Sequence, residues 1–558
     1  MVWWHVIVSF SVAGAAYLLW LALQRLWLSP IAHFPGPKLA ALTMWYEFYY
    51  DSFLEGQYTF RIAEMHRKYG PIVRISPYEL HIDDAEYYEA LYSRDAPRDK
   101  SLHLTGMFGA PASAFGTVDY RRHRIRRQPM NPFFSQQRIR QLEPMLRGMV
   151  DKLCGGLRAW KDRQAPLHMY HPFNAFTTDV VVEYTMGDSF HYLDDPDFSP
   201  QWSKTMQAIV HAGIQFKQFR WFISLFELLP QWLVMSINPD IGPVIDQKNE
   251  SMRLANLVID SQRSDSISTG NRTTVPKGTL FHALLESTLP PEEKTADRLS
   301  QEVFTVIAAG GETTARNLAT ITFYLLNNPE KLEKLREELN RLDPDGTASL
   351  VEYEAMPYLV GSSFQAALFD RIRSLIIPNF RYVGGSKNHQ RCCNATSTQL
   401  TRSAYEVQRL DHSSWGKHIL FSYDVLLETT PAYHRSQVPV GMTSLFVHHN
   451  EDIFPDSHSF IPERWMDPMQ RKHLEKYMVA FSKGSRQCIG IPLAKAEILL
   501  VVARIFREFD LELYKTTIDD VHIVRDMFNG HPRKESQGVR VMVKEWNGAL
   551  GSDISREQ

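Results

Sequence analysis

Polar and apolar positions are distributed unevenly along this chain. From Met1 to Gln24 there is no Lys, Arg, Asp or Glu, and Val6 to Leu23 is almost wholly apolar. At about 1.5 Å per residue such a run nearly crosses a bilayer as one helix. Further on the pattern changes character. Tyr58 to Tyr69 alternates as an amphipathic helix that should stop at Gly70-Pro71. Ile72-Val73-Arg74-Ile75 is rich in β-branched residues and predicts a short strand. Between about 130 and 340 most segments carry helical periodicity, as in Asp179 to Met186 and Asn328 to Leu342. Gln301 to Leu325 predicts a long, largely apolar helix, and Ser264 to Lys277 a polar loop. No fixed-period repeat is visible. The expected class is mainly α with small β-sheets.

Composition narrows the function classes. The 558 residues are 44% hydrophobic and 22% charged, with a net charge near −2. That is an ordinary globular make-up with a large core and no footprint of nucleic-acid binding. The four cysteines, Cys154, Cys392, Cys393 and Cys488, are too few for a disulfide scaffold. Trp3, Trp4, Trp20 and Trp27 flank the apolar N-terminal run where interfacial aromatics belong, and Arg25 and Lys38 follow it. This predicts a single-pass anchor at 1–27 with the remainder cytosolic. A cleaved signal peptide is the alternative, but the basic leading region is missing and the apolar run is long. Ser29 to Pro37 lies in a stiff, proline-rich hinge, 28–40. A domain then runs over 41–548, with a polar tail at 549–558. The glycosylation patterns at Asn249, Asn271 and Asn394 would be idle on the cytosolic side.

The strongest chemical signal is Phe481-Ser482-Lys483-Gly484-Ser485-Arg486-Gln487-Cys488-Ile489-Gly490. It reads F-x-x-G-x-R-x-C-x-G and looks like a haem-thiolate loop. Cys488 would supply the sulfur. Gly484 and Gly490 would let backbone approach the haem and donate N–H groups to that sulfur. Arg486 would pair with a haem propionate, and Phe481 would pack on the ring and keep water off the sulfur. The bland alternative is a lone buried cysteine near a turn. Five fixed positions in this short loop argue against it. The loop resembles the cytochrome P-450 signature, and the resemblance extends from about residue 30 to about 545. It implies the cytochrome P-450 fold, preceded by one N-terminal transmembrane helix.

Other segments carry the same resemblance. Ala309-Gly310-Gly311-Glu312-Thr313-Thr314 lies inside the long helix. Each glycine there costs roughly 1 kcal/mol against Ala, so something must offset it. One reading is that the glycine pair loosens the ladder and lets the helix bulge around a ligand; the other is close packing. The family's acid–alcohol pair maps onto Glu312 and Thr313, which would deliver protons for oxygen activation. Tyr120 to Arg127 is strongly basic, normally a solvated face. It resembles the family's third helix, so His123 and Arg127, four apart on one face, would hold the propionates. The remaining arginines would dock an acidic reductase.

Pro462-Glu463-Arg464-Trp465 resembles the family's P-E-R-F/W segment, whose Arg464 should pair with an upstream E-x-x-R. That motif is missing where Ala366-Ala367-Leu368-Phe369 stands, and the match is Glu406-Val407-Gln408-Arg409. Glu406, Arg409 and Arg464 would then form the buried structural triad, with an insert over about 360–404. The insert is either a genuine loop or an intron read through, and the second is favoured because it interrupts a core helix. Cys392-Cys393 lacks the partner ligands of a metal site.

The resemblance implies a haem b monooxygenase with Cys488 as axial ligand and NADPH acting only through a separate reductase, since the chain has no dinucleotide fingerprint. NADPH-cytochrome reductase, and cytochrome b5 as a further donor, are the implied partners at the endoplasmic reticulum membrane. Val306, Ala309 and the stretch Phe108 to Phe115 would line a site for a hydrophobic small molecule, a terpenoid or other secondary metabolite of fungal type. Two alternatives stay open: an isomerase or dehydratase on the same fold, and a non-functional haem protein caused by the insert.

Overall fold

The computed structural model describes residues 2–105, 107–218, 228–237, 242–264, 278–370 and 438–545. The polar segment after Ser264, the motif Glu406 to Arg409, the Cys392-Cys393 pair and the C-terminal tail lie outside the described residues. So does the insert beyond Asp370.

The N-terminal run forms a helix over Val2–Leu23, continued by a wider, π-type turn to Leu28. The Trp3 to Leu28 stretch has a mean hydropathy of 2.1 and its apolar window holds no buried residue, whereas Arg25 near its end bonds to the Leu42 carbonyl and Tyr78 hydroxyl. The helix Tyr58–Tyr69 ends as expected, because Gly70 at φ 99° leaves the helical region. Strand β1 (Ile72–Arg74) pairs antiparallel with β2 (Leu80–Ile82), and β2 pairs parallel with β4 (Val440–Gly441). A second sheet has the order β3 (Leu167–His168), β8 (Arg540–Glu545), β5 (Phe509–Leu513). β6 (Arg525–Met527) and β7 (Asn529–His531) form a hairpin whose turn residue, Phe528, sits at φ 77°.

The architecture is organised around one central helix, Ala296–Leu326. Thr295 caps it by accepting from the Arg298 N–H. Its second half, including Leu318, Ile321, Phe323 and Leu325, is buried on all sides. At about 1.5–3 kcal/mol per buried side chain, this packing outweighs the weak helix formers in the middle. The helices Tyr170–Met186 and Ile491–Glu508 pack on it. The bulge expected at the glycine pair is not there, and the helix runs unbroken. The glycines serve close packing instead: a Cβ on Gly310 would lie 2.8 Å from Val181 Cγ2, and one on Gly311 would lie 2.6 Å from Thr178 Oγ1. Thr177 and Asn174 also donate to the Gly311 carbonyl.

Residues 360–370, the start of the expected insert, continue the helix Pro357–Asp370. A Cβ on Gly361 would lie 2.8 Å from the Pro462 carbonyl. Gln365 accepts from Trp465 Nε1 and donates to the Ser459 carbonyl. This part of the segment is therefore packed on Pro462-Glu463-Arg464-Trp465.

Candidate active site

The cysteine loop is built by local backbone geometry. Ser482 at φ 55° and Gly484 at φ 75° turn the chain sharply, and the Cys488 N–H closes the loop onto the Phe481 carbonyl at 3.0 Å. Gly484 is required on two counts, since any Cβ would fall 2.1 Å from the Tyr92 carbonyl oxygen. Gly490 caps the following helix, and a Cβ there would sit 4.0 Å from Cys488 Sγ. Cys488 is half-buried and faces a cavity, whereas Cys154 is fully buried and its thiol is pushed up to about 12 by desolvation. A thiol held so high is inert; a partly exposed one at a loop can ligate.

One cavity brings together Cys488, Phe481, Arg486, Gly490, His123, Arg127 and Thr313. Its lining is rich in cations. His123 and Arg127 come from the helix Tyr120–Arg127, which Asp119 caps. Arg486 donates to the Thr117 and Val118 carbonyls at 2.8 and 2.6 Å, but its buried Nε has no partner. Burial, then the neighbouring Arg486, Arg127 and Lys100, holds His123 down at about 3, so it is neutral, and its buried Nδ1 is also unpartnered. Burial pulls Arg486 down to about 10. A buried polar atom without a partner normally costs about 1–3 kcal/mol. Two of the side chains that line this cavity carry one, and Arg127 and Lys100 line it as well. That set fits a ligand carrying carboxylates, and the half-buried sulfur in the same lining fits a metal. The lining therefore fits haem.

Arg122 and Arg126, on the same basic helix, are instead spent on Glu293, with Arg126 Nε at 2.6 Å from its carboxylate. Glu302 also borders the cavity, but Arg298 at 2.6 Å and the Ala114 N–H occupy it. Sequence reasoning missed two lining residues. Lys100 is buried beside Phe115, donating to its carbonyl at 2.8 Å. Glu497 is buried, so desolvation raises its carboxyl well above the usual range, and it hydrogen-bonds to Thr314. Its only visible signal was a lone acid in the apolar run Ile491–Val502.

A second cavity adjoins the first along Thr305, Ala309 and Thr313. Phe108, Phe115, Met206, Val210, Phe304 and Phe528 make it apolar. Thr313 borders both cavities, and its hydroxyl donates to the Ala309 carbonyl at 2.9 Å. Glu312 borders only the second. The expected acid–alcohol neighbours therefore turn to different partners, because a residue one step along a helix points about 100° away.

The structural triad is half visible. Arg464 is buried and Nη2 donates to the Pro455 and Asp456 carbonyls, but Nε has no partner and no carboxylate pairs with it among the described residues. Glu406 and Arg409, its expected partners, lie outside them.

The comparisons agree with this geometry. The Cytochrome P450 family model matches residues 35–361 and 436–530, so the chain belongs to that family. The break in the match falls on the stretch that contains the expected insert and Glu406 to Arg409. A cytochrome P450 monooxygenase of Ascocoryne sarcoides is 38% identical over 96% of this chain and 98% of its own length. A tryptophan 6-hydroxylase of Fusarium equiseti is 38% identical over 94% of each chain. A conidiogenone synthase of Penicillium rubens is 35% identical over 94% of this chain and 96% of its own. The chain is a cytochrome P450 monooxygenase whose relatives named here are fungal, and its family implies thiolate-ligated haem.

Proposed function

We propose that the chain inserts one oxygen atom from dioxygen into a hydrophobic small molecule of secondary metabolism, a terpenoid or another compound of comparable apolarity. Electrons come from NADPH through a separate reductase, with cytochrome b5 as a further donor. The first 27 residues anchor it in the endoplasmic reticulum membrane, and the catalytic domain is cytosolic.

The observation that carries this reading is the single cavity lined together by Cys488, Lys100, His123, Arg127, Arg486 and Thr313. When bound, haem supplies dioxygen activation and oxygen transfer. Cys488 would supply the thiolate ligand. His123, Arg127 and Arg486 would hold the two carboxylates. Phe481 and Ile489 keep water from the sulfur. Phe108, Phe115, Phe304 and Phe528 orient an apolar substrate beside Thr313 and exclude water. Thr313 and Glu312 hold and move the protons the reaction consumes. Glu406, Arg409 and Arg464 form the supporting triad, since Arg464 has a buried Nε with no partner.

The test is incorporation of isotopically labelled oxygen by the full-length protein, supplied with reductase and NADPH, against a panel of fungal metabolites. One labelled atom per product is expected. Turnover without reductase would instead select the isomerase reading.

A further inference from the structure

The second cavity is walled by aromatic rings that the fold seats against local preference. Phe528 turns the β6–β7 hairpin at φ 77°, a conformation that a bulky side chain rarely adopts and glycine takes easily. Its N–H donates to Asp526 Oδ1 at 3.0 Å, which secures the turn without help from the ring. The ring meets Phe108 edge to face, with centres 4.8 Å apart at 84°, and Phe115 in the same way, 6.2 Å apart at 86°. Phe108 in turn needs Gly213 inside the helix Pro200–Gln218, since a Cβ there would lie 2.7 Å from Phe108 Cε1. Phe115 borders both cavities, and Lys100 Nζ lies 3.3 Å from its ring centre. A left-handed phenylalanine and a helical glycine are both unfavourable local choices, and both seat the same set of rings. Core packing does not account for them. Phe108, Phe115 and Phe528 stay half-buried, whereas the core rings Phe173, Phe176 and Phe323 are no more than 1% exposed.

Most polar side chains in the same lining already have partners. The Thr305 and Thr313 hydroxyls donate to carbonyls one turn back in their own helix. The Glu312 oxygens accept from the Tyr170 hydroxyl and from Arg316 Nη2, the latter at 2.8 Å. Asn529, next to Phe528 and buried, lines the cavity with no side-chain hydrogen bond among the described residues.

We propose that this cavity selects a planar aromatic substrate carrying a hydroxyl or N–H group, and that Phe528 is its specificity-determining residue. This rests on the reading of the cavity as the substrate site. The electropositive edges of such a guest meet the electronegative faces of the phenylalanine rings, or its own face meets their edges. A saturated guest of the same carbon skeleton makes neither contact. The Asn529 amide takes the polar group and so sets which edge of the guest is turned toward Thr313.

The experiment titrates the full-length haem-loaded protein, with no reductase or NADPH present, by calorimetry. The probes are β-naphthol and its fully saturated counterpart, decahydro-β-naphthol. The aromatic probe should bind about threefold to tenfold more tightly. Phe528→Leu should remove most of that preference by weakening β-naphthol alone, and Phe528→Tyr should keep it. Phe108→Leu should act in the same direction and covers the case in which Phe528→Leu fails to fold. Asn529→Leu should weaken both probes alike, since both carry the hydroxyl. Equal affinity for the two probes in the native chain would overturn the aromatic selectivity and leave a general apolar site. A preference unchanged in Phe528→Leu and Phe108→Leu would overturn the assignment to these rings. Saturable binding of neither probe would overturn the proposal together with the reading of the cavity beneath it.

Discussion

Two buried charge clusters in this protein are opposite in kind. In the first, Lys217 near the end of the helix Pro200–Gln218 sits 2.6 Å from Glu47 and 2.5 Å from Asp51, with His103 3.4 Å from Glu47. Cation meets anion, and the cluster ties that helix to the turn Tyr49–Phe53. Lys217 beside it holds the Glu47 carboxyl far below its usual range despite burial, while burial leaves Asp51 raised. The second cluster, Lys100, His123, Arg127 and Arg486, gathers cations and an imidazole with an unpartnered Nδ1 around one cavity; of the two acids that line it, Glu302 is already taken by Arg298 and burial raises Glu497 well above the usual carboxylate range. A closed cluster is complete and holds elements together. An open cluster of one sign is incomplete until a ligand brings the opposite charge.

Four changes would break or sharpen that contrast. Cys488→Ala has the largest expected effect: the purified protein should lose thiolate-bound haem altogether, read from its absorption spectrum. Lys217→Met should come next. It strands two buried carboxylates and should cost about 3–5 kcal/mol in chemical denaturation, without changing haem affinity in the molecules that stay folded. Arg486→Ala should do the reverse. Haem transfer to a competing acceptor should speed up as about 1.5–3 kcal/mol of charge-assisted bonding is lost, while the haem-free protein loses only the bonds to the Thr117 and Val118 carbonyls, about 1–3 kcal/mol. The smallest effect concerns Asp526, beside the closed cluster in the β6–β7 hairpin. Burial, and then Asp51, push it up to about 7, against the Thr59 hydroxyl and the Phe528 N–H that it accepts. A carboxyl whose folded value is raised contributes stability below its unfolded value near 4, and loses it as pH rises toward 7. Asp526→Asn should therefore gain in melting temperature relative to the native chain as pH rises from about 4 to 7. The gain should be on the order of 1 kcal/mol per pH unit between the two values.

What could be read from sequence alone follows the range of the interaction. The cysteine loop, the His123–Arg127 spacing and the central helix depend on neighbours within a few residues, so their pattern is written contiguously. Arg316 was within reach by the same rule, four residues after Glu312, yet only the fold shows that both meet Tyr170. Lys100 and Lys217 carry no local pattern; Lys217 meets Asp51 across 166 positions. The role of Gly310 and Gly311 was the reverse case. The motif suggested a ligand-shaped bulge, and the structure assigns both to packing against Val181 and Thr178, an effect of a helix distant in sequence. The segment after Asp370 disrupted the family pattern in the sequence, and it is the stretch where the family match breaks.

The most direct measurement of the central claim is the carbon-monoxide difference spectrum of the reduced, full-length protein expressed from this sequence unaltered. A strongly red-shifted Soret band, absent in Cys488→Ala, is the result expected if Cys488 and the open cationic wall together hold thiolate-bound haem. A folded protein, shown by cooperative melting, that gives an unshifted band or none would contradict it.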